Sequence, residues 1–577
     1  MKRQLLPAGL LLAAACTQPA GFGPAVRQVS IPRVEQMAAF PEPYELLDWR
    51  QKALDFDAYA FDFDSHLPAG PVIWLDSARR NIDQVTFGLY TALKDCRQGP
   101  DRNGGEFHES LNSLHALMGA GLNGIDKTGQ HGHNFVKMVQ NYFNTDNGWN
   151  IVMNNTCPEV ALLGGGYGRD WWYDVFPNVL YYAVCAVFPD VEGAEAIQRT
   201  VADQFAAADS VLAGNYDFSY FDYAQMKGCN NWIPCQQDAA GGHAYVLYSA
   251  YRHFGDERYL RHAISALEAL DRQTESRFYE ILLPLGIYTA ARLNAEQGSR
   301  FDTEKMLGWV FDGCTAGDGR TGWGIMAGKW GGYEVSGLQG SLIDDGGFAF
   351  FMNSVDVAWP FVPLVKYEPQ YARSIGRWML NNVNNCRLFF PDQLPDSLQC
   401  LPCMQDYTNS IIAYEGLRYE DKLYDVEGHA DRHPIALGDG PRWTDCNPPE
   451  SMFSVYSTSA VGILGAIVSP TDVEGILRLD CNATDFYADK PFPAYLLYNP
   501  FDTPQEITWT TEGTRKDLFD IVSRTYLARG VAGQTVVTLP PDASAVIFEL
   551  PADARIRRDS QGNLTVNHHI IAYEQAH

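Results

Sequence analysis

The residues of this 577-residue chain best suited to chemistry are carboxylates set among tryptophans, tyrosines and glycines. The densest stretch is Gly164-Gly-Gly-Tyr-Gly-Arg-Asp-Trp-Trp-Tyr-Asp174. Its glycines let the backbone approach a ligand closely, Arg169 and Asp170 offer polar groups, and Trp171, Trp172 and Tyr173 offer flat apolar faces. A sugar needs both, because its C–H faces stack on rings while its hydroxyls need hydrogen-bond partners. Arg169 beside Asp170 favours the ionised carboxylate, which suits a general base. The competing reading makes Asp170 the cap of a helix starting at Trp171, with the tryptophans in a core. No Gly-Lys-Ser/Thr follows the glycines, so they do not form a phosphate loop.

A second stretch runs from Trp323 through Lys329-Trp-Gly-Gly-Tyr-Glu334-Val-Ser-Gly337 to Asp344-Asp345-Gly-Gly347. Hydrolysis of a glycosidic bond needs two carboxyl groups facing across the substrate, one still protonated. Glu334, among Trp330, Tyr333 and Val335, has the apolar setting that holds a proton. Asp170 as base and Glu334 as acid are therefore the expected pair, with Asp345 and Glu415 in reserve. Arg169, Trp171, Trp172, Tyr173, Trp232, Trp330 and Tyr333 are the expected substrate contacts. Asp406, Asp445, and Glu106 and Glu109 on either side of His108 are read as structural. No cofactor is expected. Asp344-Asp345-Gly-Gly could hold a structural calcium ion, but a complete ligand pattern is missing, and His131 and His133 lack a third zinc ligand. A lyase alternative would assemble His133, Asn134, Asn154, Asn155, Tyr167 and Arg169 around a uronate whose carboxylate must be neutralised. No Gly-x-Ser-x-Gly elbow is present.

Helical pairs must position these loops. Ala244, Leu247, Tyr251 and Phe254 form one stripe, Gly255-Asp256 breaks the chain, and Leu260, Ala263, Ile264, Leu267 and Leu270 form a second stripe. The spacing predicts an antiparallel hairpin, Gly242–Phe254 and Arg258–Asp271. Further helices are expected at 77–96, 105–120, 136–143, 171–188, 192–212, 280–293, 347–365 and 369–383, separated by long aromatic-rich loops at 144–167, 214–242, 313–346 and 390–414. Such loops are usually functional. Beyond Thr471 the pattern is alternating and β-branched. The expected division is a signal peptide at 1–15, a tether at 16–40, a β-containing segment at 41–79, a helical catalytic domain at 80–470, a β module at 471–557 and a polar tail at 558–577.

The hairpin Ala240-Gly-Gly-His-Ala-Tyr-Val-Leu-Tyr-Ser-Ala-Tyr-Arg-His-Phe-Gly-Asp-Glu-Arg-Tyr-Leu260 resembles those of the six-hairpin (α/α)6 toroid found in many glycoside hydrolases and polysaccharide lyases. The trailing segment from Leu496-Leu-Tyr-Asn-Pro500 to Ala545-Val-Ile-Phe-Glu549 looks like the sandwich modules appended to them. The resemblance implies a mainly α toroid followed by a C-terminal β-sandwich-like module. It carries no catalytic residue across.

Met1-Lys2-Arg3, an apolar run and Leu12-Ala-Ala-Ala-Cys16 form a secretory signal with a lipobox-like end. Cys16 is therefore the expected lipidation site, giving an anchor in a bacterial membrane, the outer membrane by the residues that follow. Eleven further cysteines leave at least one outside intrachain pairs, and Cys229/Cys235 and Cys400/Cys403 are spaced for local bridges. A net charge of −27 argues against a nucleic-acid partner. Together these features imply an extracytoplasmic glycoside hydrolase acting on an oligo- or polysaccharide by inverting acid/base catalysis. The alternatives are a polysaccharide lyase on the same scaffold and a non-catalytic glycan-binding lipoprotein.

Overall fold

The computed structural model describes residues 22–102, 105–162, 168–276, 278–313, 322–342, 347–419 and 433–574. The hairpin read from the sequence is present as helices Ala239–Phe254 and Glu257–Asp271. Gly255, at φ 70°, ends the first helix and donates to the Tyr251 carbonyl at 2.8 Å. Asp256 caps the second, its carboxylate accepting from Arg258 N at 2.9 Å. The first helix is buried along its first three turns, whereas the second buries one stripe and leaves the other face wet.

Inner helices and outer helices packed behind them make up the helical body. Six inner elements touch in cyclic order: Ser110–Leu122, Trp171–Val187, Ala239–Phe254, Leu282–Gln297, the consecutive helices Phe351–Asp356 and Ala358–Tyr367, and the short helices Val455–Thr458 and Gly462–Ile467, which return to Ser110–Leu122. Outer helices, among them Trp49–Ala60, Ala194–Leu212, Glu257–Asp271, Thr303–Phe311 and Ala372–Asn385, pack behind them. The ring closes tightly where two glycine pairs let backbones meet. A Cβ on Gly286 would lie 2.7 Å from Gly241 Cα, and one on Gly462 would lie 2.3 Å from Gly119 Cα. No described helix is long and apolar enough to cross a membrane.

A five-stranded antiparallel sheet lies at one mouth of this ring, in the order Ile435–Leu437, Gly416–Arg418, Phe348–Phe350, Gln339–Ser341, Trp323–Ile325. The C-terminal region is sheet-rich. Six antiparallel strands run in the order Val468–Pro470, Leu477–Asp480, Ala494–Tyr498, Ser544–Pro551, Lys516–Asp520, Thr525–Val531. The ribbon Gln505–Thr510/Gln534–Leu539 completes a second small core around Leu497, Ile507, Trp509, Val537 and Ile547. Asp485 ties this region to the helical body, accepting from Lys366 Nζ at 2.6 Å and from the Tyr367 hydroxyl at 2.9 Å.

Four expectations are corrected. Residues 22–40 are packed chain rather than a free tether: Ile31, Val34 and Met37, three apart, are buried, and Arg377 holds Glu35 at 2.8 Å. The expected helix at 77–96 is instead a strand, Thr86–Leu89, paired with Ile73–Asp76, because Gly88 lies under the Trp74 ring and a Cβ there would be 2.2 Å from it. Within the expected polar tail, a three-stranded sheet, Arg557–Arg558, Leu564–Val566 and His569–Ala572, buries Leu564, Val566 and Ile571. The disulfide is long-range, Cys96–Cys446, with Cα atoms 6.1 Å apart, and Cys229 and Cys403 carry free thiols, so neither local bridge forms.

Candidate active site

Five of the six inner elements bring residues at or near their N-terminal ends to one mouth, and a cavity of about 380 Å³ lies where these ends meet the five-stranded sheet. Glu109 immediately precedes Ser110–Leu122, and Tyr173 lies in the first turn of Trp171–Val187. Glu280 stands two residues before Leu282–Gln297, Asn353 in the first turn of Phe351–Asp356, and Tyr456 in Val455–Thr458. All five line the cavity. Helix N-termini carry partial positive charge, which helps hold acidic side chains there. The sheet adds Trp323 and Phe350, and Glu415 enters just before Gly416–Arg418. The Glu415 backbone is fixed at both ends, donating to Met452 O at 3.2 Å and accepting from Phe351 N at 3.0 Å.

Four carboxyl groups therefore converge: Glu109, Glu280, Glu415 and Asp439. Glu109 is 5% exposed, and burial pushes its carboxyl up to about 8, against the hydrogen bond that Asn154 Nδ2 donates to Oε1 at 2.6 Å. Although Glu109 is the N-cap residue of its helix, its side chain does not cap, so it remains available to the cavity. Burial raises Glu415 likewise to about 8, with the charges of Asp439 and Glu280 adding to the shift. Glu280 accepts from Asn353 Nδ2 at 3.3 Å. Its backbone sits at φ 59°, a left-handed conformation costly for a non-glycine residue and concentrated at functional sites.

Aromatic faces wall the cavity. Tyr279 meets Trp323 edge to face at 4.8 Å, and Trp323 stacks on Phe350 at 5.3 Å. Elsewhere in the lining, Arg97 lies 4.3 Å over the Trp443 ring and 4.8 Å over Phe107. Arg97 is held by Asp95 through Nε–Oδ1 at 2.9 Å and Nη2–Oδ2 at 2.6 Å. The Cys96–Cys446 disulfide joins the two segments that carry Arg97 and Trp443. Among the described residues, no group of three or more His, Cys, Asp or Glu side chains is arranged to hold a metal ion.

Of the residues expected from the sequence, Glu415 and Tyr173 line this cavity. The pairing of Asp170 with Glu334 is corrected, since neither lines it. Asp170 caps Trp171–Val187, accepting from Trp172 N at 3.2 Å and bonding Gln236. Glu334 turns back onto Ser336 within a tight ribbon, Lys329–Trp330/Tyr333–Glu334. Trp171 and Trp172 are core residues, stacked on Phe221 at 6.2 Å and Phe176 at 4.5 Å. Trp330 is buried against Tyr419, and Tyr333 shares its ribbon. Arg169, at φ 53°, turns its guanidinium toward the Tyr220 ring at 5.9 Å. Trp232 is 79% exposed, on a loop that Asn231 bonds to Arg169 O at 2.9 Å. Asp345, its neighbour Asp344, Tyr167 and Cys16 lie outside the described residues. Among the described residues of the lyase grouping, Asn134 caps a short helix through Lys137 N at 2.8 Å and His133 packs between Phe63 and Phe135.

Local composition marks neither Glu280 nor Asp439, and Glu109 reads as structural from its neighbours alone. The available signal was position: each of Glu109 and Glu280 stands just before a strongly apolar helix.

No family model and no curated protein sequence matches the chain. Among solved structures, it overlaps a GH127 β-L-arabinofuranosidase from Geobacillus stearothermophilus T6 at 11% identity, covering 91% of this chain and 85% of that one, with a TM-score of 0.37. It overlaps the endoglucanase CelQ from Clostridium thermocellum, solved with cellotriose, at 13% identity over 92% and 96% of the two chains, with a TM-score of 0.34. An α-L-rhamnosidase from Dictyoglumus thermophilum overlaps at 8% identity over 80% and 48%, with a TM-score of 0.31. At overlaps this low, neither reaction nor substrate passes from those chains to this one.

Proposed function

We propose that the protein is a glycoside hydrolase whose helical ring is an (α/α)6 toroid and whose reaction takes place in the mouth cavity. One observation carries this reading: opposed carboxyls converge on a cavity walled by aromatic faces. In ring order, the helices that follow Glu109 and Glu280 stand three places apart in a circuit of six, on opposite sides of the mouth. Glu109 keeps its proton at neutral pH and acts as general acid on the leaving oxygen. Glu280, with Asn353 bonded to it, acts as base toward water on the other face, so the reaction inverts the anomeric centre. Glu415, protonated between Asp439 and Glu280, donates to a sugar hydroxyl.

The cavity favours neutral sugars over uronates. Four carboxyls line it, and its arginine, Arg97, is already gripped by Asp95. That disfavours the lyase, which must neutralise a substrate carboxylate, and opposed carboxyls disfavour a non-catalytic binder. The lipid anchor at Cys16, the extracytoplasmic location and an oligo- or polysaccharide substrate belong to the same proposal and rest on the N-terminal sequence and the aromatic walls. Incubation with a panel of neutral and acidic glycans tests it. A new reducing end without an unsaturated uronate chromophore supports the hydrolase, and a product absorbing in the near ultraviolet would replace it with the lyase.

A further inference from the structure

Glu109 is flanked in sequence by two residues tied to one short segment, Asn154-Asn155. His108 N donates to Asn155 Oδ1 at 2.8 Å. Ser110 donates twice to Asn154 Oδ1, through its backbone N–H at 3.0 Å and its hydroxyl at 3.1 Å, and its N–H also reaches Asn154 O at 2.9 Å. A backbone N–H can only donate, so the Asn154 amide is oriented with its oxygen on Ser110 and its NH₂ on Glu109 Oε1, 2.6 Å away. The NH₂ can only donate in turn, so Oε1 must accept. A carbonyl oxygen accepts better than a hydroxyl oxygen, so a proton held by Glu109 sits on Oε2.

We propose that Asn154 is a positioning residue that confines the Glu109 proton to Oε2 and fixes the direction in which it is delivered. The inference deepens the hydrolase reading and rests on it for the purpose of that proton, but the geometry stands without a substrate. Asn154 is fully buried and does not line the cavity, so it acts through Glu109 rather than on a ligand. Other groups also face Glu109. Arg97 favours its anion and Asp95 opposes it. Tyr173 and Tyr456 feel both Glu109 and Glu280, and Tyr142 feels Glu109 together with Asp76. None of these is given an amide orientation by the residue next to Glu109, as Asn154 is by Ser110.

The test is a ¹³C NMR titration of glutamate side-chain carboxyls in the full chain, with the Glu109 resonance assigned by its loss in Glu109→Gln. In Asn154→Ala the Glu109 midpoint should rise, because a donor that favours the anion is gone. In Asn154→Asp it should rise further, by about a unit or more, because a like charge is placed against Oε1. Ser110→Ala, which keeps the backbone donor, should leave it nearly unchanged. Midpoints in Asn154→Ala and Asn154→Asp equal to that of the unsubstituted chain would overturn the proposal, and Asn154→Ala alone decides it should the aspartate variant not fold. The titration needs no substrate, so it is separable from the hydrolase reading: full turnover by Glu109→Gln would remove Glu109 as the acid even if both midpoints moved.

Discussion

At Glu109, burial has two opposite consequences for the molecule. It keeps a proton on a carboxyl at neutral pH, which a general acid requires, and it makes the folded state costly wherever an unfolded glutamate would ionise. The folded-state value of about 8 lies above the ordinary 4.5, so the cost is absent below the lower value, grows between the two and is complete above the higher. Glu109→Gln should therefore raise the melting temperature at pH 8–9 by an amount equivalent to a few kcal/mol and leave it unchanged near pH 4, while cutting turnover by roughly 10²–10⁴-fold. Unchanged melting at pH 8–9 would mean that the carboxyl is not held protonated. The base limb of kcat should fall away near pH 8, where Glu109 and Glu415 ionise; a limb lying wholly below pH 6 would exclude both from the proton-donating role. Little of this was legible in the sequence. Local composition singles out Asp170 and Glu334, whose neighbouring tryptophans Trp171, Trp172 and Trp330 are buried, whereas Glu109 and Glu280 reach one cavity only because the chain closes a ring between residues far apart in sequence. Glu415 and Tyr173, each beside aromatic or glycine-rich chain, line the cavity.

Secondary-structure elements were easier to anticipate where their signals were local. The hairpin 239–271 shows in the sequence because Gly255, Asp256 and two apolar stripes encode it without outside help. The strand 86–89 does not, because its pairing depends on Trp74 covering Gly88. Ring closure depends on contacts invisible to periodicity. At Gly462, where a Cβ would sit 2.3 Å from Gly119 Cα, substitution by alanine should cost about 1–3 kcal/mol and be read as a lowered melting temperature. The Cys96–Cys446 bridge is another such contact, closing 350 residues of chain and joining the segments that carry Arg97 and Trp443. Cys446→Ser should lower stability by at most about 6 kcal/mol on chain-entropy grounds and raise KM more than it lowers kcat, because that wall loosens while the carboxyls stay in place. A fall in kcat at constant KM would contradict this.

Across the whole molecule, the sheet-rich C-terminal region is continuous with the helical body through buried polar bonds. Lys366 and Tyr367 on the inner ring hold Asp485, which is fully buried. Removing one partner of such a pair leaves a buried charge, so Asp485→Ala should cost about 3–5 kcal/mol and lower the melting of both regions together; a separate early transition of the sheet region would show that they fold independently. The same ring geometry sets Glu109 and Glu280 on opposite sides of one mouth, and the account rests on hydrolysis taking place there. The most direct measurement is glycan cleavage in H₂¹⁸O followed by mass spectrometry of the products, for the unsubstituted chain, Glu109→Gln and Glu280→Gln. The prediction is one ¹⁸O atom at each newly formed reducing end, with product lost by orders of magnitude in both variants. Cleavage without ¹⁸O uptake, or undiminished product from either variant, would contradict it.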